Sequence, residues 1–335
     1  MAKLNYNVGM YREYSVKIAL ILSLLLTPAF ARAQAPIPHV GVLVQEMGRA
    51  QSQALKGVTA ELKQLGYSER KHFVFETRNA RGDRSALQAG AAELVTKKVS
   101  VIFTTGSRAT LASIAATREI PLVFVHPGDP VAIGLLKSPN DSTRNITGVA
   151  AYAAETTEKR LALFKQILPG LTKLHVFYDA NNNLSRENLV LVDSAAKKLA
   201  IQLVGHPVRS TDEFKSTFSN LSSETGAGVF QISDDLVESE AEFVFATARQ
   251  KKLPTMFNEE AWAIAGATAA YGPSYFEMGR QGGRLIDQIL KGKTPASLAI
   301  VRATKFDLTV NYRAAKFIGL ELPNDLLKQA NKVIR

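Results

Sequence analysis

The feature that most constrains this chain is a rhythm: from Pro38 onward, short apolar runs of strand length alternate with amphipathic stretches of helix length, and the rhythm starts over halfway along. His39 to Val44, Val99 to Thr104 and Pro121 to Val125 are apolar on both alternating faces, which suits strands covered from both sides. Between them, Arg49 to Leu65 carries Leu55, Val58, Leu62 and Leu65 on one stripe and is stopped by Gly66. After Asn145 to Gly148 the same pattern resumes with a helix over Thr156 to Leu168, a strand Lys173 to Tyr178 and further pairs as far as Phe257. Two such series predict two α/β lobes, each with a parallel sheet.

The first 33 residues are read as an address. Lys3, Arg12 and Lys17 precede an apolar run from Ile18 to Leu26, and Ala31-Arg32-Ala33 has the small-x-small form cut by signal peptidases. The run is short for a membrane span and Pro28 interrupts it. The expectation is a periplasmic protein whose leader is cleaved after Ala33.

Composition removes several functions. The chain has no cysteine, so there is no disulfide framework, thiol nucleophile or Cys-ligated metal. Its net charge of +11 is spread thinly, without the block of Lys and Arg that marks a nucleic-acid surface. The five histidines are far apart and in no metal-ligand spacing, so neither a metal nor a cofactor is expected. Gly292-Lys293-Thr294 imitates the end of a phosphate-binding loop, but Asp287 stands where its glycine is required and the segment follows a helix.

Positive signals sit just past the strand ends. Thr105-Gly106-Ser107 hands a strand to a helix, and unsatisfied N–H groups there would attract an anion such as a carboxylate. A plain helix cap is the other reading of the same residues. His126-Pro127-Gly128-Asp129 forms a second loop of this kind, where Asp129 either caps a following helix or faces the ligand as the opposite pole of a zwitterion. Asp234 and Glu259 follow later strands, and Tyr178, Asn181, Tyr271 and Tyr275 lie where rings or amides meet a bound molecule. A hydrolase built on Ser107, His126 and Asp129 is a further alternative.

The segments NARGDRSALQ (79 to 88), TTGSRA (104 to 109), HPGDPVAIGLLKS (126 to 138), NITGVA (145 to 150), YGPSYFEMGRQGGRLIDQILKGKTP (271 to 295) and FDLTVNYRAAKFIGLELP (306 to 323) together resemble the substrate-binding proteins of ABC import systems in the tryptophan/tyrosine-binding-like family, which share the type I periplasmic-binding fold. The resemblance implies two Rossmann-like lobes joined by three crossovers. It puts residues 34–150 and 267–300 in an N-terminal lobe, and 151–266 and 301–335 in a C-terminal lobe. It further implies a monomer without enzymatic activity that closes on a small-molecule ligand, an amino acid or related carboxylate, and delivers it to a membrane permease. A module feeding a membrane sensor would use the same cleft. Where aromatic-amino-acid binders of the family tend to carry a proline and a glutamine near 104 to 109, this chain has Gly106, Ser107 and Arg108.

Overall fold

The computed structural model describes residues 37–138 and 145–335, so the leader lies outside the described residues. The first lobe is a six-stranded, wholly parallel sheet in the order β11-β5-β4-β3-β1-β2. Its strands are β1 (His39–Val44), β2 (Val74–Asn79), β3 (Val101–Thr105), β4 (Leu122–His126), β5 (Ile146–Ala150) and the two-residue β11 (Val301–Arg302). Helices α1 (Arg49–Gln64) and α10 (Tyr275–Leu290) cover one face, α2 (Arg84–Thr96) and α3 (Ser107–Ala116) the other.

The helix pair α1 and α10 packs backbone to backbone. A Cβ added to Gly279 would stand 2.0 Å from the Ala54 carbonyl, and one on Gly57 2.0 Å from that of Phe276. Beside this contact Glu61, 3% exposed, takes Arg280 Nε at 2.8 Å and Arg284 Nε at 2.6 Å.

The second lobe is a seven-stranded sheet in the order β13-β12-β10-β9-β8-β6-β7. It contains β6 (Lys173–Asp179), β7 (Gln202–Val208), β8 (Ala227–Phe230), β9 (Thr255–Phe257), β10 (Ala269–Pro273), β12 (Phe306–Asn311) and β13 (Lys332–Ile334). Its helices are α4 (Thr157–Ile167), α5 (Asn183–Lys198), α6 (Thr211–Ser219), α7 (Asp235–Ser239), α8 (Ala241–Gln250), α9 (Glu260–Ala265), α11 (Tyr312–Phe317) and α12 (Asn324–Gln329). All pairs are parallel except β10 with β12.

That exception follows from the path of the chain. Every crossing between the lobes leaves from the carboxyl end of a strand, at Ala150, Pro273 and Arg302. β12 therefore enters the second sheet from the cleft side and must run away from it. The lobe boundaries differ from the expected ones for the same reason. Residues 269–273 were placed in the first lobe, but as β10 they pair with β9 and β12 in the second sheet, and the return to the first lobe begins at α10. Residues 301–302, placed in the second lobe, pair with β5 in the first. The tail ends in β13.

Candidate functional site

Apart from β12 and β13, every strand points its carboxyl end at the edge where the crossings occur, so that edge holds the cleft. On the first-lobe side, Gly106 links β3 to α3 with φ +79°, and an added Cβ there would meet no atom within 4 Å. The glycine answers a left-handed backbone, not crowding. Its N–H donates to the Val125 carbonyl at 3.1 Å, and its carbonyl accepts the Thr110 hydroxyl at 2.7 Å. Ser107 is the first helical residue, and no side chain caps α3. The first-turn N–H groups of such a helix have no acceptor within it. Beneath them Thr105 is 3% exposed, and its Oγ1 has no hydrogen-bond partner.

The loop after β4 is tied to itself. His126 Nδ1 accepts the Gly128 N–H at 2.8 Å, and burial lowers its pKa to about 4, which keeps the ring neutral. Asp129 Oδ1 accepts the Val131 N–H at 2.8 Å and closes a turn where a helix was expected. Among the described residues no hydrogen bond joins Ser107, His126 and Asp129, so the hydrolase arrangement is not assembled. Asp129 instead adds its charge to a group at the crossings. There the Arg302 guanidinium lies 4.0 Å from the centre of the Tyr152 ring and takes Glu155 at 2.8 and 3.1 Å. The third crossing is thereby clamped to the first.

Several expected residues on the second lobe make contacts within that lobe. Asp234, 3% exposed, accepts from Asp179 N at 2.7 Å, Ser185 Oγ at 2.6 Å, Leu236 N at 3.0 Å and Val237 N at 3.2 Å. With its acceptor capacity taken, it staples β6, α5 and α7 together. Asn181 is exposed and donates its N–H to Asp179 Oδ1 at 2.8 Å in a turn. Tyr178 shares the face of Leu174 and Val176 and packs into the same core, because side chains alternate along β6. Tyr271, half-buried, packs against that core and stacks on Phe306 with centroids 6.0 Å apart.

Glu259 and Tyr275 do come together. Tyr275 Oη donates to Glu259 Oε1 at 2.8 Å, joining the loop after β9 to the first turn of α10. Burial raises the Glu259 pKa, with the Tyr275 bond opposing the rise. Burial also pushes the Tyr275 hydroxyl well above its usual range, helped by the charges of Glu259 and Glu238. A cavity of about 200 Å³ beside the pair is bounded by Arg49, Gln53 and Ser274 among others.

Around this pair stand residues that sequence reasoning missed. Glu238 Oε1 accepts Gln231 Nε2 at 2.9 Å. Arg160, 5% exposed, donates from Nη2 to the Gln231 carbonyl at 2.7 Å and lies 4.2 Å from the centre of the Phe230 ring. Burial lowers its pKa to about 9, against the pull of Glu238. Asn258 donates from Nδ2 to Ser233 Oγ at 2.9 Å. Gln231 Oε1 and Asn258 Oδ1 are buried and unpartnered, like Thr105 Oγ1. A signal existed for the two amides: each is the first polar side chain after an apolar strand. Nothing distinguishes Arg160 from an ordinary helix-surface arginine.

Comparison with known proteins agrees with this architecture. The family model for ABC transporter substrate binding proteins matches residues 39–334. A tyrosine-binding protein of Clostridioides difficile is 25% identical over 268 residues, covering 80% of this chain and 77% of that protein. Among solved structures, a conserved domain protein of Vibrio cholerae superposes with a TM-score of 0.75 at 26% identity, over 89% of this chain and 99% of that one. An ABC domain of Streptococcus pneumoniae in complex with L-Trp gives a TM-score of 0.75 at 22% identity, with the same coverage.

Proposed function

Because this chain belongs to the ABC transporter substrate binding proteins, we propose that it binds an amino acid with an aromatic side chain between its lobes and delivers it to a membrane permease. The protein is exported by its leader, works as a monomer in the periplasm and carries out no chemistry on its cargo. The observation that carries this reading is the set of three buried, unpartnered side-chain oxygens at the carboxyl ends of β3, β8 and β9. Buried polar atoms are rarely left without a partner, and these lie at the edge where open α/β sheets bind ligands.

Their chemistry divides a zwitterion between the lobes. Gln231 Oε1 and Asn258 Oδ1 are acceptors only, and Glu259 is an acceptor when ionised, which suits the N–H groups of an ammonium. On the first lobe, the Thr105 hydroxyl and the open first turn of α3 offer donors to a carboxylate. The aromatic side chain rests on the relatives, one of which is a tyrosine-binding protein and one a complex with L-Trp. Contacts from both lobes to one ligand favour the closed arrangement, which a permease can read together with the cargo.

The test is calorimetric titration of the unfolded, stripped and refolded protein, without its leader, against tryptophan, tyrosine, their decarboxylated amines, aliphatic amino acids and sugars. Micromolar or tighter binding of an aromatic amino acid, lost in the amine, is the expected result. Binding of sugars alone would overturn the reading.

A further inference from the structure

On the second lobe, the orientation of one side-chain amide is dictated by its neighbours. Gln231 is the first residue after β8 and is 2% exposed. Its Nε2 donates to Glu238 Oε1 at 2.9 Å and to the Ile232 carbonyl. A carboxylate and a carbonyl only accept hydrogen bonds, so the nitrogen end of the amide has to face them. The oxygen end is left over, buried and without a partner. Asn258 carries no such constraint: its Nδ2 donates to the Ser233 hydroxyl at 2.9 Å, and a hydroxyl takes either end of an amide.

Two further groups hold Glu238 in this role. Asp234 accepts the Leu236 and Val237 N–H groups on its side chain, and its carbonyl accepts the Glu238 N–H at 2.9 Å. The short helix α7 that carries Glu238 is thereby fixed to the end of β8. From α4, buried Arg160 holds the Gln231 main-chain carbonyl at 2.7 Å, and its positive charge and that of Glu238 attract each other. A nearby cation favours the ionised, accept-only form of a carboxylate.

We propose that Glu238 is the positioning residue that makes this site demand a charged amine, because it fixes the Gln231 amide with its oxygen, and not its nitrogen, open to the ligand. The proposal rests on the zwitterion reading above and supplies the reason for its polarity. An ammonium brings three donors to that oxygen, whereas a deaminated acid leaves it buried and unpaired. Selectivity for amino acids over their deaminated counterparts is thus set by a residue behind the one that meets the ligand.

The test is calorimetric titration of the stripped and refolded protein, without its leader. It compares tryptophan or tyrosine, whichever binds more tightly, with the matching deaminated acid, indolepropionate or hydroxyphenylpropionate. Glu238→Gln keeps the shape of the side chain but offers Gln231 either a donor or an acceptor, so the amide is no longer held one way round. The amino acid is expected to bind about tenfold more weakly and the deaminated acid within about twofold of wild type. Gln231→Leu, which removes the oxygen itself, is expected to show the same split. Equal losses for both compounds in Glu238→Gln would give that residue a role in the fold alone and overturn the inference. A split in Gln231→Leu with none in Glu238→Gln overturns the inference and leaves the zwitterion reading standing. No split in either variant overturns the inference and the placing of the ammonium on the second lobe. A wild type that binds neither amino acid overturns both readings entirely. A second measurement needs no change at Glu238. In the ligand-free wild type, the Gln231 side-chain amide hydrogens, identified by NMR from their loss in Gln231→Leu, are expected to exchange slowly with water and to lie close to the Glu238 methylenes. Fast exchange without that proximity overturns the inference.

Discussion

Tyr275 gives its phenolic hydrogen to Glu259 across the second crossing, at 2.8 Å, so one bond joins the first turn of α10 to the loop that ends β9. Burial holds the Glu259 pKa up, so the folded protein binds a proton there more readily than the unfolded chain does. Stability from this group is complete below the unfolded pKa and is lost as pH rises through the folded one. Glu259→Gln is therefore expected to stabilise the ligand-free protein near neutral pH. If the carboxylate holds an ammonium, the same change weakens amino-acid binding about tenfold or more. Denaturation and titration of one sample measure both, and a variant losing stability and affinity together would mean that Glu259 is only structural.

Gly106 separates an anion loop from a plain helix start. Its φ of +79° is costly for any side chain although the space around it is empty. Gly106→Ala is expected to lose about 1 kcal/mol of stability and to weaken binding of the amino acid far more than that of its amine. Equal losses for the two compounds would show that the loop does not meet the carboxylate.

The contact between α1 and α10 leaves no room for a methyl group. Gly279→Ala puts a Cβ 2.0 Å from the Ala54 carbonyl, and the expected loss is about 3 kcal/mol. Gly292→Ala, at a helix end with φ +95° and no neighbour within 4 Å, is expected to lose only about 1 kcal/mol. Urea denaturation of the two variants makes the comparison, and equal losses would show that the helices re-seat.

The pair His175 and His206 gives a pH dependence. Nδ1 of the first lies 3.0 Å from Nε2 of the second, and the His206 ring stacks on Phe177 at 4.5 Å. Burial lowers both pKa values, that of His206 to about 4. The folded protein thus holds these rings neutral where the unfolded chain protonates them. Stability is present above pH 6.5 and is lost as pH falls from there towards 4, by about 2 kcal/mol after solvent screening. His126 acts in the same window, so His206→Gln is expected to remove only part of the loss between pH 7 and 4.5. Unchanged pH dependence in that variant would sink the assignment.

The alternation of apolar strands and amphipathic helices was enough to read the architecture, because burial on both faces leaves a continuous apolar signature. Where the chain exchanges lobes was less legible. Ala269–Pro273 is apolar enough for either sheet, and only its pairing with β9 and β12 decides. At the site, position relative to a strand end was legible and side-chain direction was not. Tyr178 and Tyr271 lie near strand ends, but alternation sets both rings, half-buried, against the core. Asp234 has the right place and charge, yet its neighbours use up its acceptors. Arg160 reaches Gln231 from a helix of ordinary pattern, which only the packing of α4 reveals.

The order in which the lobes are completed has a consequence for the growing polypeptide. The first lobe needs α10 and β11, and the second needs β12 and β13, all encoded from Tyr275 onward. A nascent chain that stops short of that point holds two unfinished sheets with open edges and a bare α1 face. Neither half can close early, so folding is one late event that joins the beginning of the chain to its end.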